Sequence, residues 1–201
     1  MTSLAGLVLC GGTSRRMGRD KALLEVNGRP LVRLVAERLA EVADPVLLAP
    51  GSVGRFGHLG FDEVADWPPG PGAGPLPALG AGLAAADRPL MAAVAVDMPF
   101  ASPAVFRLLA GRWRGEQAVV PVTASGPQPL HAIYSRSALP AIRVALDQGR
   151  LALLDLLGDL DVLEVAETEW TAADPAGRFA WNLNRPDDLV VLDRKGSAPS
   201  L

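Results

Sequence analysis

A short apolar stretch that leads directly into a glycine loop constrains this chain more than any other feature. Residues 4–10 are apolar or small, and the segment GGTSRRMGRDK follows, in which Gly11 and Gly12 precede three arginines and Lys21. Glycines let backbone N–H groups face a ligand at close range and adopt positive φ, so such a loop can surround an anion. The sequence therefore predicts a buried strand followed by a phosphate-binding loop.

The positive charge of this loop is local. The chain of 201 residues has a formal net charge of -3, with 49% hydrophobic and 20% charged residues. This length and composition favour one α/β domain with an adequate core, and the acidic balance argues against binding a nucleic acid. We therefore expect the loop to bind a small polyphosphate.

The cysteine content and the first residues indicate the cellular compartment in which the protein is expected. Cys10 is the single cysteine, so no internal disulfide can form, and a cytoplasmic, reducing setting is expected. The first apolar run spans residues 4–10, which is too short to cross a membrane, and no basic region precedes it. Neither an export signal nor a membrane interaction is expected.

Strand and helix patterns alternate, which is typical of a mostly parallel sheet with helices on both faces. Ser102 followed by Pro103 predicts a capped helix that ends near Gly111. A last helix is predicted after Asn184, in a domain of residues 1–194 with a disordered tail at 195–201. The remaining predictions are strands at 4–10, 45–50, 90–96, 117–123 and 130–134, and helices at 30–43, 137–148 and 151–157.

Two common phosphate-binding motifs do not fit the glycine loop. A Walker A motif requires GxxxxGK[ST], but Gly12 and Gly18 are one residue too far apart and Lys21 lies three residues further on. The dinucleotide motif GxGxxG is absent after the first strand. The loop thus argues against a nicotinamide or flavin enzyme of the usual doubly wound kind.

The loop does match the pattern LxGGxSxRMGxDK, and at this point the chain resembles the molybdenum cofactor guanylyltransferases, within the larger family of nucleotidyltransferases. Cys10 stands where that family usually has alanine. The resemblance covers five ordered blocks from residue 4 to residue 189, so it implies a doubly wound, Rossmann-like α/β fold. The matching residues are Leu9, Gly11, Gly12, Ser14, Arg16, Met17, Gly18, Asp20 and Lys21.

Asp97 follows the apolar run 90–96 and begins the sequence DMPF. Ligands of open α/β sheets bind outside the carboxyl ends of strands, and Mg²⁺ prefers a few carboxylate oxygens together with substrate phosphates. We therefore predict that Asp97 is a catalytic, nucleotide-binding and metal-binding residue; DMPF is also the metal-binding element of the family that the chain resembles. The alternative is an aspartate that only ends the strand or caps a turn.

The resemblance also implies the other nucleotide contacts. Arg16 and Lys21 are the expected catalytic phosphate ligands, and Asp66 matches an aspartate that contacts the nucleotide, although a solvated loop aspartate is an alternative. Ala49 stands where the guanylyltransferases usually carry asparagine. The full set expected to bind nucleotide is Leu9, Cys10, Gly11, Gly12, Lys21, Asp66 and Asp97.

The proline-rich and glycine-rich segment 67–82 allows two interpretations. Its composition is compatible with an interdomain linker. Its residues GPL and GL also resemble the family pattern GPLAGxxxGL, which implies a loop that enters a helix beside the nucleotide. Pro77 and Ala78 replace the alanine and the second glycine of that pattern.

Two further blocks resemble the family, the sequences QPLHAIY and NLNRPDDL. Asn182 and Asn184 alternate along an extended segment, so one is expected to reach the metal or the acceptor while the other caps the last helix. Termination of local structure is the simpler alternative for both asparagines.

A histidine in a strand pattern is more often a packing residue than a general base, so His131 is expected to have a structural role.

The resemblance implies transfer of GMP from GTP to the terminal phosphate of molybdopterin, with release of pyrophosphate, and Mg²⁺ as cofactor. A transient molybdoenzyme or maturation protein is a further expected partner. The alternatives are a cytidylyltransferase, a nucleotidyltransferase for another phosphorylated small molecule, and a catalytically silent nucleotide-binding partner in molybdoenzyme maturation.

Overall fold

One mixed β-sheet organises the computed structural model, which describes residues 3–12, 20–184 and 188. Its short strands follow from apolar runs rich in Val, Leu and Ala, bounded by glycine, proline or aspartate. The strands in chain order are β1 (Leu4–Leu9), β2 (Glu25–Val26), β3 (Arg29–Pro30), β4 (Val46–Gly51), β5 (Asp62–Ala65), β6 (Leu90–Ala95), β7 (Ala118–Thr123), β8 (Gly126–Pro127), β9 (His131–Ser135) and β10 (Val162–Val165).

Helices connect most of these strands. Ser102 caps one of them as predicted, because its side chain accepts a hydrogen bond from the Val105 N–H at 3.3 Å. The helices are α1 (Leu31–Ala40), α2 (Leu76–Ala85), α3 (Pro103–Arg112), α4 (Leu139–Asp147), α5 (Leu153–Leu157) and α6 (Glu167–Trp170).

The strand order of the main sheet is β10-β7-β9-β6-β1-β4-β5, with β8 paired to β7 and a separate β2-β3 ladder. β9 runs antiparallel to both of its neighbours, whereas β6, β1, β4 and β5 are mutually parallel. The predicted mostly parallel sheet is therefore confirmed. From β1 the chain builds outward to β5 on one side and then crosses to β6 on the other, which makes β1 the point where strand order reverses.

Helices cover both faces of the sheet, as the doubly wound fold requires. Along β1, Leu4 and Val8 face the core under α1 and α3, while Leu7 and Leu9 face the core under α2, α4 and α5. This alternation follows from the two-residue period of a strand. Because both faces are buried, the strand is apolar throughout, which explains its continuous hydrophobic sequence.

Several boundaries differ from the sequence predictions. The strands β5 and β10 were not predicted, because both are short, carry acidic residues and pair on one side as sheet edges. Helix α3 continues past Gly111 to Arg112. The predicted helix after Asn184 and the predicted tail at 195–201 lie outside the described residues, apart from Asp188, which has a helical backbone.

Residues 67–75 form a loop that leads into α2, so this segment lies within the sheet fold and is not an interdomain linker.

Among the described residues, no helix has both the length and the apolar character needed to cross a membrane.

Close packing of α2 on β1 depends on a glycine. A Cβ at Gly82 would lie 2.6 Å from Leu7 Cδ2, and Leu7 is completely buried. In contrast, a Cβ at Gly111 of α3 would have no neighbour within 4 Å. The two helical glycines thus differ in surroundings while sharing the same low helix propensity.

We expect Gly111→Ala to raise the free energy of unfolding by about 0.5–1 kcal/mol, since alanine favours the helix. The free energy of unfolding of Gly82→Ala should be about 1–3 kcal/mol below that of Gly111→Ala, because the buried Leu7 must move. Urea unfolding of both variants measures the difference. Equal free energies for the two variants would show that α2 does not pack closely on β1.

His131 is fully buried, and its ring stacks on Phe106 with a centroid distance of 3.9 Å. Its Nε2 accepts a hydrogen bond from the Ser102 N–H at 3.0 Å, while its Nδ1 has no partner among the described residues. Burial lowers the pKa of this imidazole to about 3. His131 is therefore a neutral packing residue that joins β9 to the start of α3, in line with the sequence expectation.

Since an unfolded histidine has a pKa near 6.5, the unfolded chain binds a proton that the folded chain does not. His131 should therefore destabilise the fold as the pH falls below about 6.5, by about 2 kcal/mol between pH 7 and pH 5. His131→Phe should remove this pH dependence, whereas His58→Gln, at an exposed histidine, should keep it. Urea unfolding across this pH range provides the measurement. If the free energy of unfolding of His131→Phe falls with pH as steeply as that of the wild type, His131 is not the group responsible.

Candidate active site

A cavity of about 630 Å³ lies at the carboxyl ends of the central strands, where β1 separates β4 from β6. This is the place where open α/β sheets bind ligands, because neighbouring loops diverge where strand order reverses. The structure brings most of the predicted site residues to this one cavity. Those that line it are Leu9, Cys10, Gly11, Gly12, Lys21, Asp66, Asp97 and Asn184.

The end of β1 supplies the backbone part of the site. A Cβ at Gly11 would lie 3.1 Å from Gly51 N, and Gly12 has a φ of +115°. Glycine is therefore required at both positions, by close approach to β4 at the first and by a left-handed backbone at the second. Residues 13–19, which include the predicted phosphate ligand Arg16, lie outside the described part of the chain.

Lys21 joins three separate segments at the cavity. Its Nζ lies 3.2 Å from Asp97 Oδ2 and donates a hydrogen bond to the Leu183 carbonyl at 2.7 Å. The Leu183 N–H in turn donates to the Asp97 carbonyl at 2.8 Å. The Lys21 and Asp97 side chains are 19% and 25% exposed, so both remain accessible to a ligand.

Asp66 occupies the opposite part of the cavity, directly after β5. Its backbone N–H donates to the Gly51 carbonyl at 3.0 Å, which fixes the residue against the end of β4. Its Oδ1 is buried and has no hydrogen-bond partner among the described residues, and burial raises the pKa of this carboxyl. A buried oxygen without a donor is destabilising, so a ligand that donates here gains by satisfying it.

Small apolar residues also line the cavity. Ala49 is completely buried within β4, and Pro75 and Ala78 lie at the start of α2. The cavity wall thus combines apolar surface with the Lys21-Asp97 pair and with the separate carboxylate of Asp66.

The two predicted asparagines have different surroundings. Asn184 lines the cavity, and its backbone N–H donates to Asp188 Oδ2 at 2.8 Å. Asn182 is not among the lining residues; its side-chain amide donates to the Ala180 carbonyl at 3.1 Å and so holds the local chain. The structure therefore favours Asn184 as the asparagine that faces a ligand.

Cys10 lines the cavity but is not a reactive thiol in this geometry. Burial raises its pKa to about 12, despite the positive charge of Arg55 nearby. Its backbone N–H donates to the Ala49 carbonyl at 3.0 Å. Cys10 thus contributes backbone and van der Waals surface, much as the alanine it replaces would.

The described residues contain no cluster of three or more His, Cys, Asp or Glu side chains that could enclose a metal ion. Asp97 is instead an accessible carboxylate just after β6, in the same cavity as Gly11 and Gly12. This arrangement fits Mg²⁺, which binds through one or two carboxylates together with substrate phosphates and water. A site of this type is completed by its nucleotide.

Sequence reasoning missed two contributors to the site. The Leu183 carbonyl is a backbone group, so no side-chain pattern reveals it. Arg55 lies outside every matched block, yet its guanidinium contacts Asp20 Oδ2 at the edge of the cavity. No sequence pattern singled out Arg55, because its contact depends on how two separate loops pack together.

Comparison with known proteins places this geometry in a family. The family model described as a MobA-like NTP transferase domain matches residues 6–162. A probable molybdenum cofactor guanylyltransferase from Pelotomaculum thermopropionicum is 35% identical over 190 residues, which cover 94% of this chain and 92% of the relative. A second protein of that name, from Bacillus subtilis, is 32% identical over 194 residues, or 96% of each chain.

Solved structures agree with the sequence matches. Molybdopterin-guanine dinucleotide biosynthesis protein A from Archaeoglobus fulgidus has a TM-score of 0.82 at 26% identity, over 94% of this chain and 96% of that one. The 2-C-methyl-D-erythritol 4-phosphate cytidylyltransferase from Thermus thermophilus shares the fold, with a TM-score of 0.67 at 23% identity. The match covers 95% of this chain and 97% of that one. The resemblance drawn from the motifs is confirmed: this chain belongs to the MobA-like NTP transferase family and is a nucleotidyltransferase.

Proposed function

We propose that this chain transfers GMP from GTP to the terminal phosphate of molybdopterin. The observation that carries the proposal is one cavity with two chemically distinct parts, the half-buried Asp66 carboxylate with its unpartnered Oδ1 and the accessible Lys21-Asp97 pair beside the glycine loop. The first part suits a base or ribose donor, and the second suits a triphosphate. The names of the relatives in Pelotomaculum thermopropionicum and Bacillus subtilis support guanine as the base and the molybdenum cofactor as the acceptor.

In the proposed reaction, an oxygen of the molybdopterin phosphate attacks the α-phosphorus of GTP. The new P–O bond forms as the bond to the β-phosphate breaks, and pyrophosphate leaves. A phosphate nucleophile is already ionised at neutral pH, so the chain needs no general base. This agrees with the neutral, fully buried state of His131, which is not among the residues that line the cavity.

Catalysis in this scheme rests on positioning and charge. Gly11 and Gly12 present backbone to the phosphates, and Lys21 leaves its contact with Asp97 to bind the departing pyrophosphate. Mg²⁺, which Asp97 would hold, neutralises phosphate charge when bound. Asn184 faces the same cavity and is the proposed contact on the acceptor side.

A cytidylyltransferase is the second candidate, and a specific observation favours it. Ala49, which replaces the asparagine usual in guanylyltransferases, is buried in the cavity wall and offers no side-chain hydrogen bond to a base. Titration calorimetry with GTP, CTP, ATP and UTP, each with and without Mg²⁺, separates the two. Selective binding of GTP supports guanylyl transfer, whereas selective binding of CTP would replace it with cytidylyl transfer.

Asp97→Ala should lower turnover by at least about 10²-fold, because it removes the proposed metal ligand. Lys21→Ala should lower turnover by about 10²-fold, through loss of a cation that stabilises the leaving group. Asp159→Ala, at a surface ion pair with Arg150, is the matched control and should leave turnover unchanged. Pyrophosphate release with GTP, molybdopterin and Mg²⁺ is the assay, and wild-type rates in Asp97→Ala would reject the assigned role.

Asp66→Asn should lower GTP affinity by about tenfold, since a carboxylate accepts two donors of guanine and an amide replaces one acceptor with a donor. In the wild-type protein, GTP affinity should fall as the pH falls through the raised pKa of Asp66, because the protonated acid is a weaker acceptor. Asp66→Asn should abolish that pH dependence. Calorimetry between pH 4.5 and 8 tests both points, and a parallel pH profile in the variant would show that another group titrates.

A further inference from the structure

Arg55 connects the loop after β4 to the glycine loop after β1. Its guanidinium donates to Asp20 Oδ2 through one terminal nitrogen and to the Pro50 carbonyl through the other. Its charged end also lies 5.0 Å from the centre of the Phe56 ring. The side chain therefore has defined partners on both sides, at the edge of the cavity.

The loop that carries Arg55 is itself held in place. The Glu63 carboxylate accepts hydrogen bonds from three successive backbone N–H groups, those of Gly54, Arg55 and Phe56. Phe56 is 1% exposed and belongs to the core beneath α1. Arg55 is thus presented from a fixed backbone, so its contact with Asp20 needs little further ordering.

Asp20 has two tasks that use different oxygens. Its Oδ1 accepts a hydrogen bond from the Ala22 N–H at 3.1 Å, which caps the short 3₁₀ helix Lys21–Leu23. Its Oδ2 accepts from Arg55. Asp20 also lines the cavity, immediately before the lysine that contacts Asp97.

This position creates an electrostatic problem for a site that binds a triphosphate. The described lining residues include three carboxylates, those of Asp20, Asp66 and Asp97, and the single ammonium of Lys21. An unpaired Asp20 carboxylate beside the phosphates would repel them. Asp97 and Asp66 have proposed ligands of their own, which leaves Asp20 as the carboxylate that the protein itself must neutralise.

We propose that Arg55 is a positioning residue for triphosphate binding, which neutralises Asp20 and holds it as the cap of the turn that presents Lys21. This inference rests on the proposed nucleotidyl transfer. The alternative is an ion pair that serves the fold alone. Asp20 lines the cavity and its side chain is 29% exposed, so the pair lies within reach of a ligand, which favours a role in the site.

The test compares Arg55→Met, Arg55→Lys and the double variant Arg55→Met with Asp20→Asn. Arg55→Met should lower the affinity for GTP with Mg²⁺ about tenfold but change the affinity for GMP less than twofold, because the proposed phosphate contacts of Lys21 are with the two outer phosphates, which GMP lacks. Arg55→Lys keeps the charge and should stay within about threefold of wild type for GTP. The double variant should recover GTP affinity to within about threefold, since asparagine still caps the turn but no longer repels phosphate. These magnitudes follow the scale of a charge contact in a partly exposed site.

Arg150→Met, which breaks a surface ion pair with Asp159, is the matched control and should leave both affinities unchanged. Raising the ionic strength should reduce the defect of Arg55→Met, because the repulsion is electrostatic. Calorimetric titration gives the affinities, and urea unfolding of each variant shows whether the fold is retained. If Arg55→Met does not fold, Arg55→Gln, which keeps a hydrogen-bond donor but removes the charge, replaces it in the same comparisons, alone and combined with Asp20→Asn.

Three results would overturn this role of Arg55. The first is an equal loss of GTP and GMP affinity in Arg55→Met, the second is no loss of either affinity, and the third is a double variant that binds GTP no better than Arg55→Met. Failure of the proposed function gives a different result. If wild type prefers CTP, guanylyl transfer is wrong and the Arg55 proposal is tested with CTP and CMP; if wild type binds no nucleotide, both proposals fail.

Discussion

The pairing of β1 with two parallel neighbours is the constraint on which the rest of the structure depends. Leu4–Leu9 bonds to β4 on one side and to β6 on the other, in continuous register. The carboxyl ends of the three strands therefore meet at one edge, and the chain leaves that edge in different directions. Gly11, Asp66 and Asp97 line one cavity for this reason, although they lie far apart in the sequence.

Charge within the cavity is balanced by contacts between segments. Lys21 neutralises Asp97 and Arg55 neutralises Asp20, so two of the three lining carboxylates have a cationic partner among the described residues. Asp66 has no such partner and instead has a raised pKa through burial. The cavity thereby has an acceptor that lacks a cationic partner among the described residues, Asp66, and an ion pair, Lys21-Asp97, an arrangement suited to a ligand with a base and a polyphosphate.

The fold was largely predictable because its strands are buried on both faces and leave continuous apolar runs in the sequence. Residues 4–10 and 90–96 correspond to β1 and β6 with differences of one residue at their ends. The edge strands β5 and β10 escaped prediction, since an edge strand carries polar residues and lacks the apolar run. The antiparallel direction of β9 was also not predictable, because strand direction depends on the path of the connecting loop through space.

The sequence by itself determined the local chemistry of the site. A glycine pair after an apolar strand, an aspartate at the end of another and a lysine that follows the loop are local patterns, and each has a direct chemical meaning. Their assembly depended on tertiary structure, because parallel pairing brings residues 9–12, 66 and 97 to one edge of the sheet. The fold also decided which asparagine faces the cavity, that Asp66 is desolvated and that Arg55 reaches Asp20. Those properties depend on distance and burial, which arise only when separate segments pack together.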